Sequence, residues 1–470
     1  MYKMKSFNDS HLHFVGIGAN LLEYVDLTTT KSNSELIDIL HKEKDREFIV
    51  ARGWHENNFK DELPFTKKEL NDASNSIPII AIRTCGHVLI CNDKMLEIAG
   101  LNNKSNQVDG GTFDIDSGVF TENALELIYR HLPKPTKKRI KEYMIAANSY
   151  LLSHGVTACG SDDFSTLPVP YETIIECYRE LDEEDLIQVK ILQQVNLPSI
   201  ELLKDYISKN YHLMMYGQVS SGPLKLLADG SLGGRTAFMN EPYSDDPNNL
   251  GVKVFSNQEL FDMIHLADSN KMDVAIHAIG DGCIDQVIDA IEKSINITKR
   301  NHRHSIIHSQ LANQKQIDRM ISLNIGAQTQ PIFLNSDIPI IKDRLGERYK
   351  ETYLFNTMYK KGMNITISTD TPVEPLNPFY NLYCAVSRKS IKFPSYEAFL
   401  PNEAFSIEDA IKCYTETPYY LSYEENRDIN DYIIIDKDIT TCSIEEIKNI
   451  KVLETYIDGK LVYKDGDSNV

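Results

Sequence analysis

Short apolar runs of strand length, rich in β-branched residues and ending at polar ones, recur along the chain, and each is followed by a stretch with helical spacing. Eight stand out: residues 5–13 (KSFNDSHLH), 156–163 (VTACGSDD), 187–195 (IQVKILQQV), 223–230 (PLKLLADG), 273–281 (DVAIHAIGD), 304–310 (HSIIHSQ), 325–331 (IGAQTQP) and 364–370 (NITISTD). The intervening stretches 256–271 and 312–324 carry apolar residues at i, i+3, i+4 behind Ser or Asn starts, the mark of amphipathic helices. Eight strands separated by helices predict a parallel (β/α)8 TIM barrel, with catalytic groups at the C-terminal strand ends. An open doubly wound sheet is the plainer arrangement of the same pattern.

Two regions fall outside that count. Residues 45–150 hold two more strand-like runs, EFIVARGW and IPIIAIRTCGHVLI, then a helical stretch from Lys137 to Leu152, which predicts a lobe inserted between the first two barrel strands. After a helix at Ile407 to Tyr414, the tail carries YIIID and LETYIDGKLVYK, with Asp458 and Gly459 as a hairpin turn, and reads as a small β-appendage. The expected division is therefore 1–44 for the start of the barrel, 45–150 for the lobe, 151–420 for the rest of the barrel and 421–470 for the appendage.

Composition narrows the partners. Among 470 residues, 68 acidic and 49 basic side chains give a formal charge of −19, so nucleic acid and anionic membrane surfaces are poor partners and a small-molecule substrate is expected. No apolar run reaches the ~18 residues of a membrane span, and the N-terminal MYKMKSFNDSHLHF lacks the apolar core of a secretory signal. Eight cysteines without a CxxC pair fit a reducing cytoplasm. A homo-oligomer is compatible with all of this.

The chemistry concentrates at the strand ends. His11 and His13 are two apart on one strand, so both imidazoles can face the barrel axis and share a metal. His277 and His308 end successive strands 31 residues apart, about one strand–helix unit, and Asp370 ends another strand 62 residues on. One histidine on an apolar strand is usually a core group; four at equivalent ends, with an aspartate, form a set suited to zinc or a similar ion. Gly230, Gly233 and Gly234 do not form a phosphate loop, Gly16 and Gly18 make only a weak GxG, and neither Cys85 nor Cys159 has a nucleophile's partner beyond proximity in sequence.

With these motifs the chain resembles the amidohydrolase superfamily of metal-dependent hydrolases, nearest to the branch containing N-substituted formamide deformylases. DSHLH resembles its first-strand motif, LKLLADGSLGGRTA its fourth, HAIGD its fifth, IIHSQ its sixth and STDTPVEP its eighth; GWHENNF, CGHVLICN and VFTENA resemble segments of the inserted lobe. The resemblance implies His11, His13, His277 and His308 as metal ligands, Asp370 as ligand or general base, and Lys225 as a lysine whose carboxylated form bridges two ions; a snorkelling lysine at the barrel mouth is the plainer alternative. It further implies one or two divalent metals, zinc foremost. The sole tryptophan, Trp54, reads first as a core residue, its place in GWHENNF raising a pocket role as the alternative, and His87 and Arg235 are pocket candidates on the same footing. Members usually begin with a longer β-rich segment, so an N-terminally shortened β-sandwich is expected here. Where they usually carry a glutamate before the sixth-strand histidine, this chain has Ile307, removing that carboxylate's support.

The expected activity is hydrolysis of an amide-type carbon–nitrogen bond, N-formyl or N-acyl, by metal-activated hydroxide, with Asp370 and Lys225 as the catalytic pair. The alternatives are ester or cyclic amide hydrolysis or deamination on the same scaffold, or a barrel that binds a small molecule without turning it over.

Overall fold

In the computed structural model, residues 1–55, 59, 65–426 and 429–466 are described. All eight expected strands are present, at Phe7–Leu12, Val156–Asp162, Lys190–Asn196, Val219–Leu227, Val274–Ala278, Ser305–His308, Gly326–Thr329 and Ile365–Ile367. They run parallel in chain order, each hydrogen-bonded to the next, which is the barrel and not the open sheet. The eighth and first strands share no ladder. That seam is closed instead by Asp370 N donating to His11 O (3.0 Å), His13 N donating to Thr371 O (2.9 Å), and the Ser10 and Thr366 hydroxyls 2.7 Å apart. Asp9 adds its carboxylate there, accepting from Thr369 N and Oγ1 and from Tyr414 OH at 2.8 Å. Burial pushes the Asp9 carboxyl up to about 7 against the pull of those hydrogen bonds.

The helix Phe14–Leu22 leaves the first strand directly and packs on the long helix Lys137–Ser153. Gly18 makes that approach feasible, because a Cβ there would lie 1.9 Å from Tyr143 O. The lobe between these helices is a six-stranded sheet in the order Val25–Asp26, Ile49–Trp54, Ile79–Arg83, Val88–Cys91, Val119–Glu122, Gly111–Asp114. Its sheet thus begins some twenty residues before position 45, and the helix after it packs on barrel elements.

The tail strands Tyr432–Ile435, Val452–Ile457 and Lys460–Lys464 form one antiparallel sheet, which Tyr2–Lys5 joins at its edge. The run expected as one strand over 5–13 is therefore divided: residues up to Lys5 belong to the appendage, and the barrel strand starts at Phe7. The cysteines of the chain are all free thiols, and among the described residues no helix is long and apolar enough to cross a membrane.

Candidate metal centre

The barrel's interior is polar beneath its C-terminal mouth. Gln194, from the third strand, donates through Nε2 to Ser10 O (2.9 Å) and Gln328 Oε1 (3.0 Å), and Gln328 donates on to Ser305 Oγ (2.8 Å). With its amide nitrogen so engaged, Gln194 must turn Oε1 toward His11 Nδ1, 2.6 Å away. Gln330 repeats the device: Nε2 donates to Gln328 O (3.1 Å) and Ser368 Oγ (2.7 Å), while Oε1 meets His308 Nδ1 at 2.7 Å.

Each histidine is fixed in the same sense. His13 Nδ1 faces Asp162 O (3.0 Å), and His277 Nε2 faces Gly230 O (3.1 Å) and Asp229 Oδ1 (3.2 Å). Carbonyl oxygens only accept, so those nitrogens carry the hydrogens. The bare lone pairs are then Nε2 of His11, His13 and His308 and Nδ1 of His277. Acceptors behind imidazoles are the usual support of ligating histidines. Asp229 is itself held by Ile279 N (3.1 Å) and by Gly280 N and Phe238 N (2.9 and 3.0 Å).

The bare atoms converge. His11, His308 and Asp370, all buried, each place a ligand atom within 4.8 Å of the others. Asp370 Oδ1 lies 3.3 Å from His11 Nε2 and 3.1 Å from His13 Nε2. His277 stands beside this group, its ring centre 4.5 Å from that of His308. Lys225, buried, reaches 3.2 Å from His11 Nε2 and 3.5 Å from Asp162 Oδ2. The other oxygen of Asp162 is buried without a hydrogen-bond partner, an arrangement that suits a nearby cation. His308 and Asp370 hold positive φ angles of 75° and 58°, the strained backbone common at functional sites.

Charge follows geometry. Burial, reinforced by the Lys225 ammonium, lowers His11 to about 4, and burial beside His277 keeps His308 well below its ordinary value, so both present neutral lone pairs. Burial opposes ionisation of Asp370, yet His11 and His13 hold it well below the carboxylate range. Burial disfavours the His13 cation, but Asp370 outweighs it and raises that imidazole above its ordinary value; the neutral nitrogens of His11 and His308 beside the Asp370 carboxylate form a set that fits a divalent ion.

The lobe reaches the same centre. His87 packs 5.0 Å from His277, ring centre to ring centre, and its Nδ1 lies 2.7 Å from Glu122 Oε2. Burial disfavours the His87 cation, but Glu122 outweighs it and pushes the imidazole up to about 9. Glu122 adopts φ 48° to reach this position.

Trp54 and Arg235 are engaged by other partners. Trp54 is buried in the lobe core, packed edge-on to Phe65 at 5.0 Å, with Nε1 donating to Ala81 O at 3.0 Å. Arg235, with φ 55°, is engaged by Asp245 at 2.9 Å within a cluster shared with Arg344. Residues 56–58 of the GWHENNF segment lie outside the described residues.

Sequence reasoning did not find Gln194, Gln330, Asp162, Asp229 or Glu122. The glutamines sit inside runs that read as strand core, where nothing in the pattern marks them as partners of His11 and His308. Ile307 is a buried apolar residue, and the acceptor behind His308 is Gln330 Oε1.

Comparison with known proteins agrees with this geometry. The model of the Amidohydrolase family matches residues 6–463. YtcJ of Bacillus subtilis (strain 168) is 29% identical over 97% of this chain and 88% of its own length. The N-substituted formamide deformylase of Arthrobacter pascens is 20% identical over the same shares. An uncharacterized metal-dependent hydrolase from Pyrococcus horikoshii OT3 superposes with a TM-score of 0.75 at 30% identity, covering 94% of this chain and 88% of that one. With a barrel whose strand-end side chains His11, His308 and Asp370 converge, and a family match across nearly its whole length, the chain belongs to the amidohydrolase family.

Proposed function

We propose that this hydrolase cleaves an amide-type carbon–nitrogen bond of a small molecule, an N-formyl or N-acyl amine, with a divalent metal as cofactor and zinc as the favoured ion. The observation that carries the reading is the convergence of His11, His308 and Asp370 on one buried point, with His13 attached through Asp370. His11, His13, His277, His308 and Asp370 would hold the metal, and Lys225 would join two ions if carboxylated. A bound divalent ion supplies a Lewis acid and a water whose pKa falls to about 7.

The residues around it do the rest. Gln194 and Gln330 hold His11 and His308 with their lone pairs facing inward. Asp370 takes one proton from the attacking water as its oxygen adds to the carbonyl carbon, then delivers that proton to the departing nitrogen as the carbon–nitrogen bond breaks. The products are a carboxylic acid and an amine. His87, backed by Glu122, stands beside His277 where a substrate carbonyl would lie, and its second nitrogen is available to orient that oxygen.

The test is turnover of a panel of N-formyl and N-acyl amines by metal-loaded protein, read as released amine. Activity lost to a chelator and restored by the ion supports the reading. Turnover of esters or aminated heterocycles with no amide cleaved would refute it.

A further inference from the structure

The helix Phe14–Leu22 begins at His13, whose side chain makes no capping hydrogen bond because its imidazole is turned to Asp162 O and Asp370. The first amides of a helix have no partner inside it, and ordinarily the side chain of the residue just before the helix accepts from one of them. Here the acceptors come from another strand. Phe14 N donates to Ser161 Oγ at 2.8 Å and Val15 N donates to Asp163 Oδ1 at 2.8 Å, at the end of the second barrel strand, Val156–Asp162, and one residue past it.

The two acceptors are themselves tied down. Ser161 Oγ donates to Asp163 Oδ2 at 2.7 Å, and Tyr178 OH, from the helix Tyr171–Glu183, donates to the same oxygen at 2.6 Å. Ser161, Asp163 and Tyr178 are all buried. One carboxyl group thus accepts from three elements: the helix behind His13, the second strand and an outer helix of the barrel. Between these two acceptors, Asp162 turns its main-chain oxygen to His13 Nδ1 at 3.0 Å and accepts there from Thr166 Oγ1 at 3.2 Å. Residues 161–163 therefore hold His13 twice, its ring through Asp162 O and its main chain through the amides of Phe14 and Val15. Side-chain exposure is 25% for His13 against 1% for His11, so packing alone does less to hold it and these hydrogen bonds do more.

We infer that Asp163 and Ser161 are positioning residues for His13: they close its helix from the neighbouring strand, fix the main chain on which the imidazole is mounted, and so keep Nε2 directed at the metal site. Neither touches the ion, and both act through His13. The inference rests on the metal-centre reading above and deepens it by naming what orients the one ligand histidine that is partly exposed.

Two measurements separate this role from a merely structural one. The first is affinity for zinc alone, by competition with a chromogenic chelator. Asp163→Ala and Ser161→Ala should each weaken it at least about tenfold, the scale of a lost support behind a ligand, and Ser161→Thr, which keeps the hydroxyl, should stay within about threefold of the parent. Ser256→Ala removes the cap of the helix Asn257–Ser269 and is the control: it should lower the urea midpoint and leave zinc affinity unchanged. The second is read on metal-free protein labelled with heavy nitrogen at histidine. The His13 Nδ1–H signal, assigned by its loss in His13→Gln, should exchange slowly in the parent and fast in both alanine variants. Ser161→Ala carries the test where Asp163→Ala does not fold. Unchanged zinc affinity or a persisting slow signal in a folded variant would leave Asp163 and Ser161 as a helix cap only and overturn the proposal. A parent that binds no zinc would refute the metal-centre reading, and the His13 signal, which needs no ion, would still decide this one.

Discussion

Replacing Gln330 with Met keeps the length and nearly the volume of the side chain while removing every hydrogen bond it makes. Three buried groups lose their partner: His308 Nδ1, Gln328 O and Ser368 Oγ, at 2.7, 3.1 and 2.7 Å. The serine has a fallback in Thr329 O at 3.3 Å and Gln328 O lies in the ladder with the sixth strand, so the lasting cost falls on His308. A buried polar group left unpaired costs about 1–3 kcal/mol. More specific is the effect on the ring, which is freed to rotate and to exchange tautomers, so its Nε2 lone pair is no longer committed inward. Loss of such support typically lowers metal affinity ten- to a hundredfold, about 1.4 to 2.8 kcal/mol. Competition with a chromogenic chelator reads this directly, and a Gln330→Glu variant, which keeps an acceptor at the same place, should recover most of the affinity. If Gln330→Met binds metal within twofold of the parent, His308 is not a ligand oriented from behind, and the arrangement derived for all four histidines fails with it.

Asp370→Asn keeps a carbonyl oxygen that can still touch the ion but removes the basic site, so it should lower the amide-cleavage rate by roughly a hundredfold or more, the scale of a lost general acid or base, while elemental analysis finds metal near the parent's level; metal lost in step with activity would refute the proton-transfer role and make Asp370 chiefly a ligand. Gly18→Ala should destabilise the fold by at least about 1–3 kcal/mol in thermal or urea unfolding, because the new methyl meets Tyr143 O at 1.9 Å; an unchanged midpoint would refute the close helix approach. His302 is buried beside the His304 ring and accepts from His304 N, and burial together with the charges of His304 and Arg300 lowers it from 6.5 to about 4 despite Asp273 and Asp268. Its folded value lies below the unfolded one, so the unfolded chain takes the proton first. Stability should fall by up to about 3 kcal/mol as pH drops from 6.5 to 4, and His302→Gln should flatten that part of the profile of urea midpoint against pH; an identical slope would refute the assignment.

The barrel was legible because each strand pairs a β-branched run with an abrupt polar end, and those ends are where His11, His277, His308 and Asp370 stand. The supports behind them were not. Gln194 lies within ILQQV, where alternation gives its direction but not the histidine it serves 183 residues away. The edges of the modules were hidden for a simpler reason: Val25–Asp26 is a two-residue strand, too short to leave a period, and Tyr2–Lys5 runs almost directly into Phe7–Leu12, so only pairing with Tyr432–Ile435 shows that it belongs to another sheet. Trp54 sits in the lobe core, as a lone tryptophan on an apolar strand first suggests.

The central claim is that the strand-end histidines and Asp370 hold the ion on which hydrolysis depends, and anomalous diffraction from crystals of the metal-loaded protein tests it most directly. The account predicts a peak within coordination distance of His11 Nε2, His308 Nε2 and an Asp370 oxygen, with His13 Nε2 directed at it. A fully occupied ion elsewhere in the chain, with these side chains left hydrogen-bonded only to one another, would contradict it.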